Sequence, residues 1–136
     1  MTQDTGSVNQ VEIELILMRQ LATYLITPVF IVNREGALLF YNEAAQMLLG
    51  RSYEENDEMP LEEWAASFRP RREDGGAVPP NELPLVIALR EKRLAYLSPL
   101  IILGHDGVPR RIAVTAFPLL GQQERELGAV AIFREV

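Results

Sequence analysis

Residues 29–50 read "VFIVNREGALLFYNEAAQMLLG", and the fold depends on how this stretch divides. Residues 29–32 form a short apolar run rich in β-branched side chains, which is strand composition. "NREG" follows, with Asn33 opening and Gly36 closing a tight reversal. Residues 37–41 return as a second strand. Asn42 then stands where a helix N-cap belongs, its side-chain oxygen placed to accept from a free N–H of the first turn. Glu43 sits at the positive end of the helix dipole. Ala44, Met47 and Leu48 supply an apolar face, and Gly50 stops the helix. A hairpin that hands directly into a capped helix builds one corner of a pocket and holds no catalytic set of side chains.

Upstream, residues 1–7 are small and polar and predict a loose tail. From Val8 the spacing turns helical. Val8, Val11, Leu15, Met18, Ala22 and Leu25 alternate steps of three and four, the period of a heptad seam. Ile13, Leu17, Leu21 and Tyr24 form a second apolar stripe beside the first. One stripe suffices to dock a helix on its own domain. The second leaves two readings: a helix sunk in one core, or a helix that also meets a second copy along Val11, Leu15, Met18 and Ala22. Thr27-Pro28 ends the helix, because a residue before proline is pushed out of the α region.

Downstream, residues 51–60 are acidic and loop-like. Leu61, Trp64, Ala65 and Phe68 then recur at helical spacing, and "RPRREDGGAVPP" is a turn-rich connection. A further helix is expected over 82–92, with Asn81 as its cap and Pro84 in its first turn. Leu83, Val86, Ile87 and the stem of Arg90 share its inner face. Three strands close the chain, over 94–103, 111–120 and 127–134. Pro99 marks the first as an edge strand or a bulged one. In "GAVAIF" both alternating sets, Val130 with Ile132 and Ala129 with Phe133, are apolar, so both faces of this sheet are covered.

The 136 residues suit one domain and bury enough surface for a real core. There is no cysteine, which excludes a disulfide frame, a cysteine zinc site and a thiol nucleophile. Thirteen basic against nineteen acidic residues leave a charge of −6, which argues against nucleic acid and anionic membrane as partners. No segment approaches the ~20 apolar residues that span a bilayer, and the N-terminus lacks the pattern of a secretory signal. A cytoplasmic protein is expected.

The order of elements, helix, two strands, short helices and three strands, resembles the PAS sensor family. "VFIVNREGALLFYNEAAQMLLG" is similar to the PAS opening hairpin and capped helix, and "VPPNELPLVIALREKR" to the segment through its long helix. "DGVPRRIAVTAFPLL" and "LGAVAIFREV" are similar to its last two strands. The resemblance implies an α+β fold: a five-stranded antiparallel sheet, short helices on one face, and an N-terminal amphipathic helix over 1–26 preceding a PAS domain over 27–136. It implies a sensory or signalling module, a homodimer built on the N-terminal helix, and an output domain such as a histidine kinase, cyclase or phosphatase. The departures are informative. The flavin and coumaroyl branches need a cysteine and the haem branch a histidine on the long helix, and residues 82–92 hold neither. No cofactor is therefore expected, which leaves a non-covalent apolar ligand, or only a protein partner, as what the module binds. The last strand ends Glu135-Val136 where the family commonly continues into a relay motif, so the chain is either a single-domain protein or the sensor part of a longer one.

The residues that could carry chemistry have plainer readings. His105, the only histidine, lies in the turn "GHDG"; Glu54, Glu55, Asp57, Glu58, Glu62 and Glu63 read as a solvated acidic face. Arg69, Arg71 and Arg72 read as a basic loop beside those acids. Trp64 and Phe68 are either plain core or the wall of a cavity between the short helices and the sheet. In the second case Leu48, Leu83, Ile87, Val130 and Ile132 face the same space. No nucleophile–base set, metal spacing or phosphate loop appears, so no catalysis is expected. The alternatives are a ligand-free dimerisation scaffold and, more remotely, a small cone-fold isomerase using Tyr41 or Tyr96.

Overall fold

A computed structural model of the chain describes residues 2–49, 59–104 and 106–136, and of residues 2–12 the backbone. Strands β1 (Val29–Asn33) and β2 (Leu38–Tyr41) pair antiparallel around the turn read from the sequence. The Asn33 side-chain oxygen accepts from the N–H groups of Glu35 and Ala37 at 3.0 and 2.9 Å. Gly36 has φ +88°, and a Cβ there would lie 2.6 Å from Leu61 Cδ1, so only glycine fits. Helix α2 (Glu43–Leu49) leaves the hairpin at once. Gly50, Glu54, Glu55, Asp57, Glu58 and His105 lie outside the described residues.

Helix α3 (Leu61–Ser67) and helix α4 (Pro84–Glu91) lead into β3 (Ala95–Leu103), β4 (Pro109–Leu120) and β5 (Glu126–Glu135). The strands form one sheet in the order β2-β1-β5-β4-β3, with every neighbour antiparallel. The C-terminal strand is thus the central one, which explains why both of its alternating sets are apolar. Gly128 carries φ +151°, and a Cβ there would lie 2.0 Å from the Val32 carbonyl oxygen. Glycine at this point lets β5 lie against β1.

Boundaries differ from expectation at several points. Helix α1 runs Thr2–Thr23, taking in the expected tail. Gly6 is the one strong helix-opposing residue there, and a lone glycine costs about 1 kcal/mol, too little to end a helix. Asn81 is not a cap: it sits in a 3₁₀ turn (Pro80–Glu82), and Leu83 precedes a helix that starts on Pro84. Proline is at home in that first position, where no N–H is needed. The β3–β4 register shifts between Leu97 and Leu100, around Pro99. Beyond it, Arg71 pairs with Ile101 through N···O distances of 2.8 and 2.9 Å, so a loop residue covers the outer half of β3.

The sheet divides two cores. Its front face packs against α2, α3 and α4 through Phe30, Val114, Ala131 and Phe133, among others. Its back face carries Val29, Ile31, Leu119, Leu127 and Val130, and α1 lies across it. Leu15 and Met18 are half-buried there and Ala22 is fully buried. Glu14 accepts from Arg125 at 2.7 Å, and the Arg19 guanidinium lies 5.2 Å from the Phe40 ring centroid.

Candidate functional site

The front core holds a cavity of about 80 Å³ between α3, α4 and the sheet. Phe30 is its hub. This ring stacks on Tyr41 at 5.9 Å and meets Trp64 and Phe68 edge-on at 5.4 and 6.4 Å. These are the offset and T-shaped arrangements that ring quadrupoles favour. Trp64 is oriented by its indole N–H, which donates to the Gly36 carbonyl at 2.8 Å. The α3 wall is therefore pinned to the β1–β2 turn, and that donor is not free to meet a ligand.

Three of the expected pocket residues, Trp64, Phe68 and Leu83, line the cavity. The others do not. Leu48 packs in the same core but its neighbour Leu49 faces the space. Ile87 is half-buried outside it, because a helix starting at Pro84 buries Leu85, Val86 and Ala88 and turns residue 87 away. Val130 and Ile132 lie on the α1 side of the sheet, where they oppose Ile31 and Val29 in the β1–β5 ladder. Ala131 and Phe133 supply the β5 wall instead. Sequence reasoning did not single out Phe30; the aromatic within an otherwise β-branched run was the available signal.

The expected dimer seam also has a definite place. The side chain of Val11 lies outside the described residues, while Leu15, Met18 and Ala22 face the chain's own sheet. The second stripe stays bare: Ile13, Leu17 and Leu21 are about half exposed or more, and Tyr24 is 85% exposed.

Among the described residues no ionisable side chain lines the cavity. Tyr96 is exposed on β3, and Tyr41 is buried without lining the space. Glu62 and Glu63 are exposed on α3; Arg72 pairs with Glu82, and Arg69 and Arg71 are exposed. Among the described residues no group of three potential metal ligands converges, and no helix is long and apolar enough to cross a membrane. One charged pair stands out at the β3–β4 turn. The Arg110 guanidinium, 2.9 Å away, holds the Asp106 carboxyl down at about 2, with help from the Val108 N–H.

No family model matches the chain, and no curated protein sequence matches it closely enough to count as a relative. Solved structures do match. The PAS domain of nitrogen regulation protein NR(II) from Vibrio parahaemolyticus is 20% identical, with 88% of this chain and 98% of that one covered and a TM-score of 0.61. The PAS domain of the fruit-fly ELK potassium channel is 11% identical, with 90% and 96% covered and a TM-score of 0.65. The phage VqmA-DPO complex is 10% identical, with 94% of this chain and 55% of that one covered and a TM-score of 0.60.

Proposed function

We propose that this chain, which has the PAS fold, is a non-catalytic sensor module that takes a compact apolar molecule into the front-face cavity. One observation carries the reading: a cavity of about 80 Å³ walled by Phe30, Trp64, Phe68, Leu83 and Phe133. An apolar guest against these walls gains burial at about 25 cal/mol per Å². The cavity is well below the ~300–1,000 Å³ of drug-sized sites. A small ring or short branched chain fits that scale; a long acyl chain does not. The VqmA structure is reported as a complex with DPO, and the reading extends that precedent of a bound partner to this chain.

In this reading the bare stripe of α1, Ile13, Leu17, Leu21 and Tyr24, pairs with a second copy, because the other stripe is occupied by the sheet. The signal passes to an output domain such as a histidine kinase, cyclase or phosphatase, in the cytoplasm. The small volume of the cavity favours, as a second reading, a ligand-free dimerisation scaffold. Titration with indole and toluene decides between them, read by Trp64 fluorescence and by native mass spectrometry of the purified protein. Saturable binding that Ala131→Leu abolishes, with the fold intact, supports sensing. Absence of binding, or binding undiminished in Ala131→Leu, overturns it.

A further inference from the structure

Asn42 is the one buried polar or charged side chain of the described core, at 1% exposure, and it makes far more contacts than a helix cap needs. Its side-chain oxygen accepts from the N–H of Ala45 at 3.1 Å, which caps α2, and from the N–H of Val29 at 3.0 Å, which fixes the start of β1. Its amide nitrogen faces the opposite way. There it donates to the carbonyls of Ala22 and Thr27, each at 2.9 Å, with that of Leu25 at 3.3 Å. These carbonyls belong to the end of α1 and the segment leaving it. The main chain of Asn42 is engaged too, donating to Val29 and accepting from Gln46. One planar group therefore joins the last turn of α1 to the first turn of α2, and α2 ends on Leu49, a wall of the cavity.

We propose that Asn42 is a positioning residue that couples the cavity to the docking of α1 on the back face of the sheet. The two lie on opposite sides of the sheet, so a shift in α2 must travel around its edge rather than through it. The planar amide permits this: its oxygen and nitrogen are fixed relative to each other, and rotating the oxygen with α2 carries the nitrogen away from the α1 carbonyls. Hydrogen bonds in a buried site are costly to leave unmade, so α1 either follows or releases. The mechanism deepens the sensor reading by supplying its route, and depends on that reading only for its trigger.

Asn42→Asp tests the joint, because aspartate caps a helix as well as asparagine does but presents an oxygen to the α1 carbonyls. Asn42→Ser is the uncharged companion, used alike if the aspartate variant does not fold. Hydrogen exchange of the amides of residues 13–23 is read against those of β4 and β5 in the full chain. The variants are expected to speed exchange in α1 about tenfold to a hundredfold, the range for two lost buried hydrogen bonds, with the strands unchanged. Coupling is read by filling the cavity without any ligand: Ala131→Leu should change α1 exchange at least about fivefold in the otherwise natural chain and leave it unchanged beside Asn42→Asp or Asn42→Ser. Unaltered α1 exchange in both Asn42 variants overturns the joint. So does an Ala131→Leu effect that persists undiminished in them. Since no ligand enters the comparison, failure of the joint is distinguished from failure of the sensor reading.

Discussion

Replacing Phe30 by Leu keeps an apolar side chain at the hub of the front core but removes the ring. Three ring–ring contacts go with it, to Tyr41, Trp64 and Phe68 at centroid distances of 5.9, 5.4 and 6.4 Å. Aromatic pairs contribute about 0.5–1.5 kcal/mol each beyond the area they bury. The site is 5% exposed and already borders a cavity, so the loss of shape adds to the effect rather than being relieved by collapse. The expected destabilisation is about 3 kcal/mol. With a slope of about 2 kcal/mol per molar urea, the midpoint falls by about 1.5 M. Far-UV circular dichroism is the suitable probe, because Trp64 fluorescence changes with its neighbour. A double-mutant cycle with Trp64→Leu should return a coupling of about 1 kcal/mol. Destabilisation below about 1 kcal/mol, or strictly additive effects, would show that the rings merely fill space and that the hub does not organise the cavity.

Leu17→Glu with Leu21→Glu should give a folded monomer in sedimentation, since both side chains are 58% exposed in the single chain; a dimer that survives the pair places the contact elsewhere. Because Asp106 titrates at about 2 in the folded chain against an ordinary 3.8, its small stabilising effect is complete above about 4 and fades as the pH falls through 2. Carboxyl NMR should show that midpoint, and Arg110→Gln should raise it toward 3.8; a midpoint insensitive to Arg110→Gln would exclude the pair as its cause.

The hairpin and its capped helix were legible because each signal is local. Asn33 bonds within a few residues of itself, and the capping bond of Asn42 to Ala45 is of the same kind. The bonds of Asn42 to Val29, Ala22, Leu25 and Thr27, by contrast, reach 13 to 20 residues back and had no local mark. The cavity was half legible. Trp64, Phe68 and Leu83 follow from helical spacing, but the choice between Val130 with Ile132 and Ala131 with Phe133 rests on pairing with strands about 100 residues earlier and about 15 earlier in the chain. A strand apolar on both sides carries no local mark of which side is which. Ile87 and Leu85 differ by the phase of α4, which was fixed by its start at Pro84 instead of at Glu82. For the same reason the two stripes of α1 could not be ranked: both are apolar, and the sheet's own back face decides which is covered.

The pairing of Arg71 with Ile101, and that of Met59 with Leu38 at the other margin, restricts how copies of this chain can meet. Each outermost strand of a sheet displays unpaired peptide groups that invite a further strand and, repeated, an unlimited ribbon. Here a loop residue already occupies part of each margin. Lateral growth is blunted at both ends. Contact through the helical stripe, by contrast, is satisfied by one partner and then closed, as a two-fold pair is. If copies of this chain meet, the covered margins at Arg71 and Met59 therefore favour an assembly of finite size.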